Sequence, residues 1–505
     1  MFFKNKIASL ILVATLIRCI IACSIGLGND EVYYVTYARH LQWNYFDHPP
    51  LVALLIRLTT FNLTFTNDFF IRLGSILLAA ANTWLIYQIG KKIKDERTGF
   101  IAALLYTSSI YTSIIAGVFI MPDAPQLFFW MLSLYFLVYL IADEKNKAKS
   151  NWYLVLFGLC TGLCVMSKVH GVFLWFGFGL YILIYNRKLL SNGYLYLSVL
   201  LTLLVILPIL FWNIENDFIT YTFHSNRVSI NRGINPNSFI REFFGGVAYN
   251  NPINYFIIIT ALVAVWKNKI KISVNYIRLL LLMSLPLIGI LLFVSLFRDT
   301  LPHWSGPGFT SLLLLAACYL ADLKIDSTLP KLVRYANYLI VKVSFAGILL
   351  ISFYPGTLGK TNEENLGKGD VTLDMYNWDF FKTEVGKIIQ INKSKGKTNT
   401  DFIINNKWFP AAHIDNYIAQ PLHLNFIAIG KLEDIHTYHW LNQSRKPIQK
   451  GNDAYYITVS NNFTAPNEIY KDDFEKINAP VIIKQYRGGK PVRNMLVYLM
   501  EGFKN

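Results

Sequence analysis

The residues of this chain with the means to do chemistry fall in a few short segments of its first 355 positions. Asp30 and Glu31 are adjacent. A carboxylate pair of this kind can act as a general base, one group ionised and tuned by the other. Asp47-His48 runs directly into Pro49-Pro50. Proline fixes its own φ and restricts its predecessor, so an acid and an imidazole are held in a rigid turn, placed to ligate a metal or to hydrogen-bond a substrate. Asp123 stands between Pro122 and Ala124-Pro125, at the mouth of a helix. Lys168 with His170, His224 with Arg227, and Arg298 with His303 add cations and imidazoles from three further segments. One acid to deprotonate a nucleophile, and Lys168, Arg227, Arg298 and His303 to hold a phosphate leaving group, would suit group transfer from a lipid phosphate. Each residue also has a purely structural reading. Asp30 and Glu31 suit a first helical turn, Asp123 a cap, and Lys168 a snorkelling position.

The elements that must position these groups are membrane spans. The chain has 505 residues, of which 54 % are hydrophobic and 15 % charged. Soluble domains carry about 25 % charge. A cytosolic globular enzyme is excluded, and the 15 % aromatic content excludes a disordered chain. Spanning helices need ~20 apolar residues, and about eleven such runs can be placed. They fall near Ile7–Leu27, Phe69–Gly90, Thr98–Gly117, Ala124–Ala142, Trp152–Lys168, His170–Tyr185, Tyr194–Trp212, Phe244–Trp266, Leu279–Phe297, Phe309–Leu323 and Leu339–Phe353. The first resembles a signal peptide but is too long and lacks a small-residue cleavage site, so it is read as a span. Between alternate runs lie basic links: Lys91, Lys92, Lys94 and Arg97; Lys145, Lys147 and Lys149; Arg187 and Lys188; Lys267, Lys269, Lys271 and Arg278; Lys324, Lys331 and Arg334. The positive-inside rule makes these cytoplasmic and leaves the carboxyl terminus outside. The net charge of +16 would suggest nucleic acid in a soluble protein. Here the positive-inside bias accounts for it, with anionic lipid headgroups as the partner and no nucleic acid. Cys19, Cys23, Cys160, Cys164 and Cys318 all lie in apolar runs, as small buried hydrophobes rather than disulfides or metal thiolates.

Under this topology none of the nine histidines is cytoplasmic. The outer segments carry His40, His48, His170, His224 and His303, together with Asp30, Glu31, Asp47 and Asp123. Ionisable groups near membrane depth are costly and are functional candidates by default. They predict one cavity lined by Asp30, Asp123, Lys168 and His303. Leu51–Leu58 is too short to span and reads as an amphipathic helix in the interface. After Tyr354-Pro355-Gly356 the chain turns polar. Short apolar runs at Asp401–Asn405, Leu424–Ile429, Ala454–Val459, Pro480–Lys484 and Val497–Met500 read as strands, and Phe380–Ile391 as a helix. Residues 356–505 are thus expected to form an extracytoplasmic α/β domain beside a transmembrane domain of residues 1–355. The domain's histidines, His413, His423, His436 and His439, are expected at its surface, and the domain itself is expected to be accessory.

The segment DEVYYVTYARHLQWNYFDHPPLVALL at residues 30–55, followed by MPDAPQLFFW at 121–130, CVMSKVHG at 164–171, HSNRV at 224–228 and LPHWSGPG at 301–308, resembles the GT-C membrane glycosyltransferases related to protein O-mannosyltransferases and the lipid A aminoarabinose transferase. The likeness covers most of residues 1–353. It implies transfer of a sugar from a polyprenyl-phosphate carrier to an acceptor outside the cytoplasm, with inversion at the anomeric carbon. It also implies Asp30 as catalytic base beside Glu31, Asp123 as the second acid, and Lys168 at the donor phosphate. In the aminoarabinose transferases an acid before Lys-Pro-Pro and a later histidine bind a metal. The matching positions are Asp47 and His224, with His48 where those enzymes have lysine, and one divalent metal is implied on that set.

The reading is an inverting glycosyltransferase of a bacterial inner membrane, acting on a lipid or envelope glycan at the periplasmic face. A protein acceptor is the alternative within the enzyme class, and a transporter or flippase of lipid-linked sugar the alternative outside it. One-sided placement of the ionisable groups argues against transport, which places such groups near the midplane. No Gly-rich loop followed by Lys-Ser/Thr is present, so no nucleotide cofactor is expected.

Overall fold

Most of the apolar runs fold as helices because each satisfies its backbone groups internally, the only solution open to a single segment in hydrocarbon. The computed structural model describes residues 2–228, 233–324 and 327–504. The chain forms two compact units: Met1–Ile21 with Gln42–Ser344, and Ala22–Leu41 with Phe345–Asn505.

The helices run α1 (Phe2–Ser24), α2 (Asn29–Arg39), α3 (Leu51–Thr59), α4 (Asp68–Ile93), α5 (Glu96–Ser108), α6 (Asp123–Ala142), α7 (Lys147–Ser167), α8 (Val172–Tyr185), α9 (Gly193–Glu215), α10 (Ile219–Val228), α11 (Pro236–Tyr249), α12 (Pro252–Trp266), α13 (Val274–Leu282), α14 (Leu285–Ser295), α15 (Gly306–Asp322) and α16 (Thr328–Phe353). Among the described residues, seven helices are long and apolar enough to cross a membrane, or eight if one bent pair counts as a span. The other apolar runs are shorter or broken. The run at Thr98–Gly117 stops at Ser108 and resumes as a π-helical turn, Tyr111–Ile115. Ser109 is extended there (φ −78°, ψ 135°); the Ser108 hydroxyl turns back onto the Leu105 carbonyl, offering the backbone an alternative to the helix, and the Ser109 hydroxyl donates to the Tyr249 carbonyl of α11. The run at Phe244–Trp266 bends by 97° between α11 and α12. Asn251 has φ +67° there, and Pro252 has no N–H to donate. Val169–Tyr185 and Gly306–Asp322 are short apolar helices.

Small residues let the helices approach closely. A Cβ on Gly158 of α7 would fall 2.2 Å from the Ser198 carbonyl of α9, and one on Gly99 of α5 would fall 2.3 Å from the Tyr87 carbonyl of α4. The basic links gather at one end of the bundle. Lys92 pairs with Asp143 at 3.3 Å and Lys94 with Asp322 at 2.7 Å. Arg97 donates to the Leu323 carbonyl, and Arg278 lies over the Tyr185 ring. The amphipathic helix expected at Leu51–Leu58 is α3, which buries Val52, Ala53 and Ile56 and exposes Leu54 and Leu58.

The second unit contains a six-stranded sheet. Parallel β1 (Phe402–Asn405), β2 (Asn425–Ala428) and β3 (Ala454–Val459) adjoin the long antiparallel β6 (Lys490–Phe503), whose other edge is shared by β4 (Phe474–Ile477) and β5 (Val481–Arg487). The helix at Phe380–Ile391 is α17 (Asp379–Ser394) and another, α18 (Trp408–Ile414), follows β1. The division of the chain differs from the expected 1–355 and 356–505. The boundary falls inside the last long helix, and Ala22–Leu41 groups with the tail. The cause is aromatic packing. Tyr33 of α2 lies 5.1 Å from the Trp408 ring and accepts from the Thr437 amide, and Arg39 donates to Asn416 at 2.7 Å.

Candidate functional site

In the first unit the candidate residues converge on a buried ion pair. Asp123 opens α6 and is 0 % exposed; Lys168 closes α7 and is 3 % exposed. Lys168 Nζ meets Asp123 Oδ2 at 2.8 Å. Extended backbone at Lys168 (φ −160°) lifts its side chain off α7, and the chain turns back into α8 through Val169–Gly171. Gly171 is needed at that turn, since a Cβ there would lie 2.6 Å from the Val165 nitrogen. The π-turn brings the Tyr111 hydroxyl to 3.5 Å from Asp123 Oδ1. Such turns are frequent at functional sites.

Imidazoles surround the pair. His303, in the turn before α15, is 9 % exposed and feels the charges of Asp123 and Lys168. His170 packs 5.5 Å from the Trp304 ring. His48, half-buried, lies 6.3 Å from the His224 ring and within electrostatic reach of Lys168 and Asp123. Burial pushes His48 down to about 4, with Lys168 and His224 adding to it against Asp47. Burial also pushes His303 to about 4, with Asp123 opposing and Lys168 adding. Both are therefore neutral at pH 7. The centre is an ion pair of zero net charge ringed by neutral imidazoles.

Asp47, His48 and His224, the set on which a metal is implied, lie close together, with the two imidazole rings 6.3 Å apart. His224 Nε2 addresses the backbone carbonyl of Asp47 at 2.9 Å, and among the described residues no three His, Cys, Asp or Glu groups are arranged to hold an ion. Arg298 presents its carbonyl to Ser238 Oγ at 2.6 Å. The Arg227 side chain lies outside the described residues. Three residues not singled out from sequence join this unit's buried polar set. Arg72 is 0 % exposed and sits over the Phe119 ring; Glu242 is 2 % exposed and accepts from Thr300 at 2.7 Å; Tyr111 is described above. A cation one turn inside an apolar run was a signal for Arg72. Nothing in the sequence marks Tyr111.

Asp30 and Glu31 lie in the second unit. They differ in environment. Glu31 is 2 % exposed and its Oε2 accepts from the Gly28 amide at 2.8 Å, satisfying one backbone donor at the start of α2. Asp30 is exposed. The neighbouring Asn29 is held by the tail, where His413 Nε2 meets Asn29 Oδ1 at 2.9 Å. His413 is no surface residue. It is 0 % exposed and stacked between Trp378 (4.2 Å) and Tyr417 (5.8 Å). His436 is half-buried and stacks on Trp408, while His423 and His439 are exposed as expected. Burial raises the Asp374 carboxyl to about 6, opposed by its hydrogen bond to Asn29 and by Arg493, and reinforced by the charge of Asp30. The tail thus contributes directly to the surroundings of Asp30.

Residues 47–212 match the family described as dolichyl-phosphate-mannose-protein mannosyltransferase. The lipid A galacturonosyltransferase RgtD of Rhizobium johnstonii is 24 % identical over 296 residues, 57 % of this chain, and the match spans 59 % of that relative. The structure of ArnT from Cupriavidus metallidurans in its apo state is similar over 98 % of each chain, with TM-score 0.65 and 11 % identity. The same protein bound to undecaprenyl phosphate gives 0.64 and 12 %. The resemblance to the GT-C membrane glycosyltransferases therefore holds. The fold is theirs, a helical membrane bundle with a C-terminal sheet domain.

Proposed function

We propose that the protein is an inverting glycosyltransferase that moves a monosaccharide from a polyprenyl-phosphate carrier to a lipid or envelope glycan. The observation that carries the reading is the buried Asp123–Lys168 pair ringed by His48, His170 and His303, in a chain with the fold of ArnT. Asp30 takes the proton of the acceptor hydroxyl. The acceptor oxygen bonds to the anomeric carbon as that carbon's bond to the phosphate oxygen breaks, and the carrier leaves as polyprenyl phosphate with the bonding pair. Lys168, fixed by Asp123, faces the charge that develops on the leaving phosphate. Preorganised cations of this kind need little reorganisation at the moment of reaction. No step is assigned to a metal. The basic links lie in the cytoplasm, and transfer takes place at the opposite face.

The test is consumption of a radiolabelled polyprenyl-phosphate sugar by the purified protein in membranes, with release of polyprenyl phosphate. The paired variant Asp123→Asn/Lys168→Gln, which leaves neither charge alone, should lose release while remaining folded. Movement of intact donor across a vesicle membrane without release would overturn the enzyme reading in favour of a flippase.

A further inference from the structure

The first unit contains a second feature that the reaction does not use. A cavity of about 670 Å³ lies among α1, α5, the π-turn and α16, within the 300–1,000 Å³ usual for ligand sites. Its walls are apolar, formed by residues such as Leu10, Ile17, Leu104 and Ile340. Lys6, Arg97 and Arg334 mark one end and Arg18 the other. The first three are accounted for. Lys6 and Arg334 are exposed, and Arg97 donates to the Leu323 carbonyl at 2.7 Å. Arg18 is not. It is 2 % exposed, no described carboxylate pairs with it, and the groups acting on its charge are Tyr106 and Cys19. Its Nε and Nη2 make long contacts of 3.4 Å with the Ser113 carbonyl and hydroxyl, and its Nη1 has no partner among the described residues. A buried cation without a counter-charge costs several kcal/mol, and this one lines an apolar slot.

We infer that the cavity is a berth for a second polyprenyl phosphate, with the phosphate on Arg18 Nη1 and the prenyl chain along the slot, outside the Asp123–Lys168 pair. The inference rests on the carrier proposed above. Charge complementarity selects an anion and the walls select hydrocarbon. Depth selects a single chain. Arg18 lies six residues before the end of α1 at Ser24, about 9 Å along the axis. A two-chain phospholipid would have to sink its glycerol to that depth, whereas a single-chain phosphate needs a slot one chain wide. Lys6 lies twelve residues from Arg18 on the same helix, so the slot is about 18 Å long. The berth touches the reaction centre through one element, since Arg18 holds Ser113 of the π-turn that also presents Tyr111 to Asp123. A carrier released from Lys168 would have a place to wait that does not block the next donor.

Native mass spectrometry of the full chain, titrated with undecaprenyl phosphate, tests this. Wild type should bind two. Arg18→Met, and separately Ile17→Trp, which fills the slot with Arg18 intact, should weaken one adduct by about tenfold to a hundredfold, the loss expected from a charge-assisted hydrogen bond. Asp123→Asn/Lys168→Gln should lose the other. The thermal midpoint of Arg18→Met should not fall, because an uncompensated charge is removed. Binding unchanged in both slot variants overturns the berth and leaves the donor reading standing. Displacement of the Arg18-dependent adduct by excess phosphatidylglycerol overturns it in favour of a bilayer lipid. No adduct in wild type overturns the carrier reading as well.

Discussion

At the scale of single residues, the two adjacent acids are separated by what they touch. Glu31 spends its carboxylate on the Gly28 amide, while Asp30 is exposed at the start of α2. Asp30→Asn is nearly isosteric on an exposed position and should leave the fold intact while lowering turnover by ~10²–10⁴-fold, the usual worth of a general base. Glu31→Gln keeps an acceptor for the cap and should retain most turnover. Measured in matched membranes, the reverse order would make Glu31 the base. A second prediction concerns pH. The imidazoles of His48 and His303 are held near 4 in the folded chain, below the ordinary value of about 6.5. Between those values the unfolded chain binds more protons. Their contribution to stability is thus present above pH about 6.5 and is lost as pH falls through about 4. The unfolding midpoint should drop across that window, and His48→Asn/His303→Asn should flatten the drop; an unaltered slope would show that other groups govern it. Asp123, Lys168 and His303 were legible because proline, glycine and apolar runs framed them. His413 was not, because its burial comes from Trp378 and Tyr417, which bear no fixed spacing to it.

At the scale of elements, α2 decides how the tail is understood. The sequence reading makes the tail accessory, and residues 1–355 self-sufficient. Yet Tyr33, Asn29 and Arg39 find Trp408, His413 and Asn416 in the tail. Truncation after Tyr354 removes those partners. It should leave polyprenyl-phosphate binding, proposed above at Lys168, detectable, and should abolish turnover. Hydrogen exchange over residues 29–39 should accelerate at the same time. Protection of α2 unchanged by the truncation would show that the tail does not hold it. The helix–helix contacts offer a further check. Gly158→Ala forces a Cβ to within 2.2 Å of the Ser198 carbonyl, so α7 and α9 must part. A loss of about 1–3 kcal/mol is expected, read as a lower unfolding midpoint. Strands β1, β2, β3 and β5 were legible from short apolar runs, and part of β6. β4 was missed because Phe474–Ile477 carries Glu475 and Lys476 on an edge with little to bury. The break at Ser109 was missed for another reason. Serine hydroxyls inside an apolar run read as tolerated polar groups until their carbonyl partners are known.

At the scale of the whole molecule, the basic links and the buried ion pair occupy opposite ends of the helical bundle. Lys92, Lys94, Arg97 and Arg278 are tied to Asp143, Asp322, Leu323 and Tyr185 at one end. Asp123, Lys168, His303 and His48 meet at the other. A chain with net charge +16 is held in one orientation by the cost of carrying short basic loops across the membrane, so the basic end should face the cytoplasm and the ion pair the far side. This is testable with cysteine substitutions in a background whose native cysteines lie within helices. Asn146→Cys falls in the link between α6 and α7, beside Lys145 and Lys147. Lys450→Cys falls in an exposed turn of the tail. In intact cells with a permeabilised outer envelope, a membrane-impermeant maleimide should label Lys450→Cys and leave Asn146→Cys unlabelled until the inner membrane is opened. Unaltered protein supplies the background. Labelling of Asn146→Cys in sealed cells, with Lys450→Cys protected, would turn the molecule over and place Lys168 on the cytoplasmic side. The proposed transfer at the outer face would then fail, while the fold and the ion pair would stand. Labelling of both from outside would mean that the number of crossings between them is even. The short or broken segments would then have to be recounted, beginning with the short helix Val169–Tyr185 and the bend between α11 and α12.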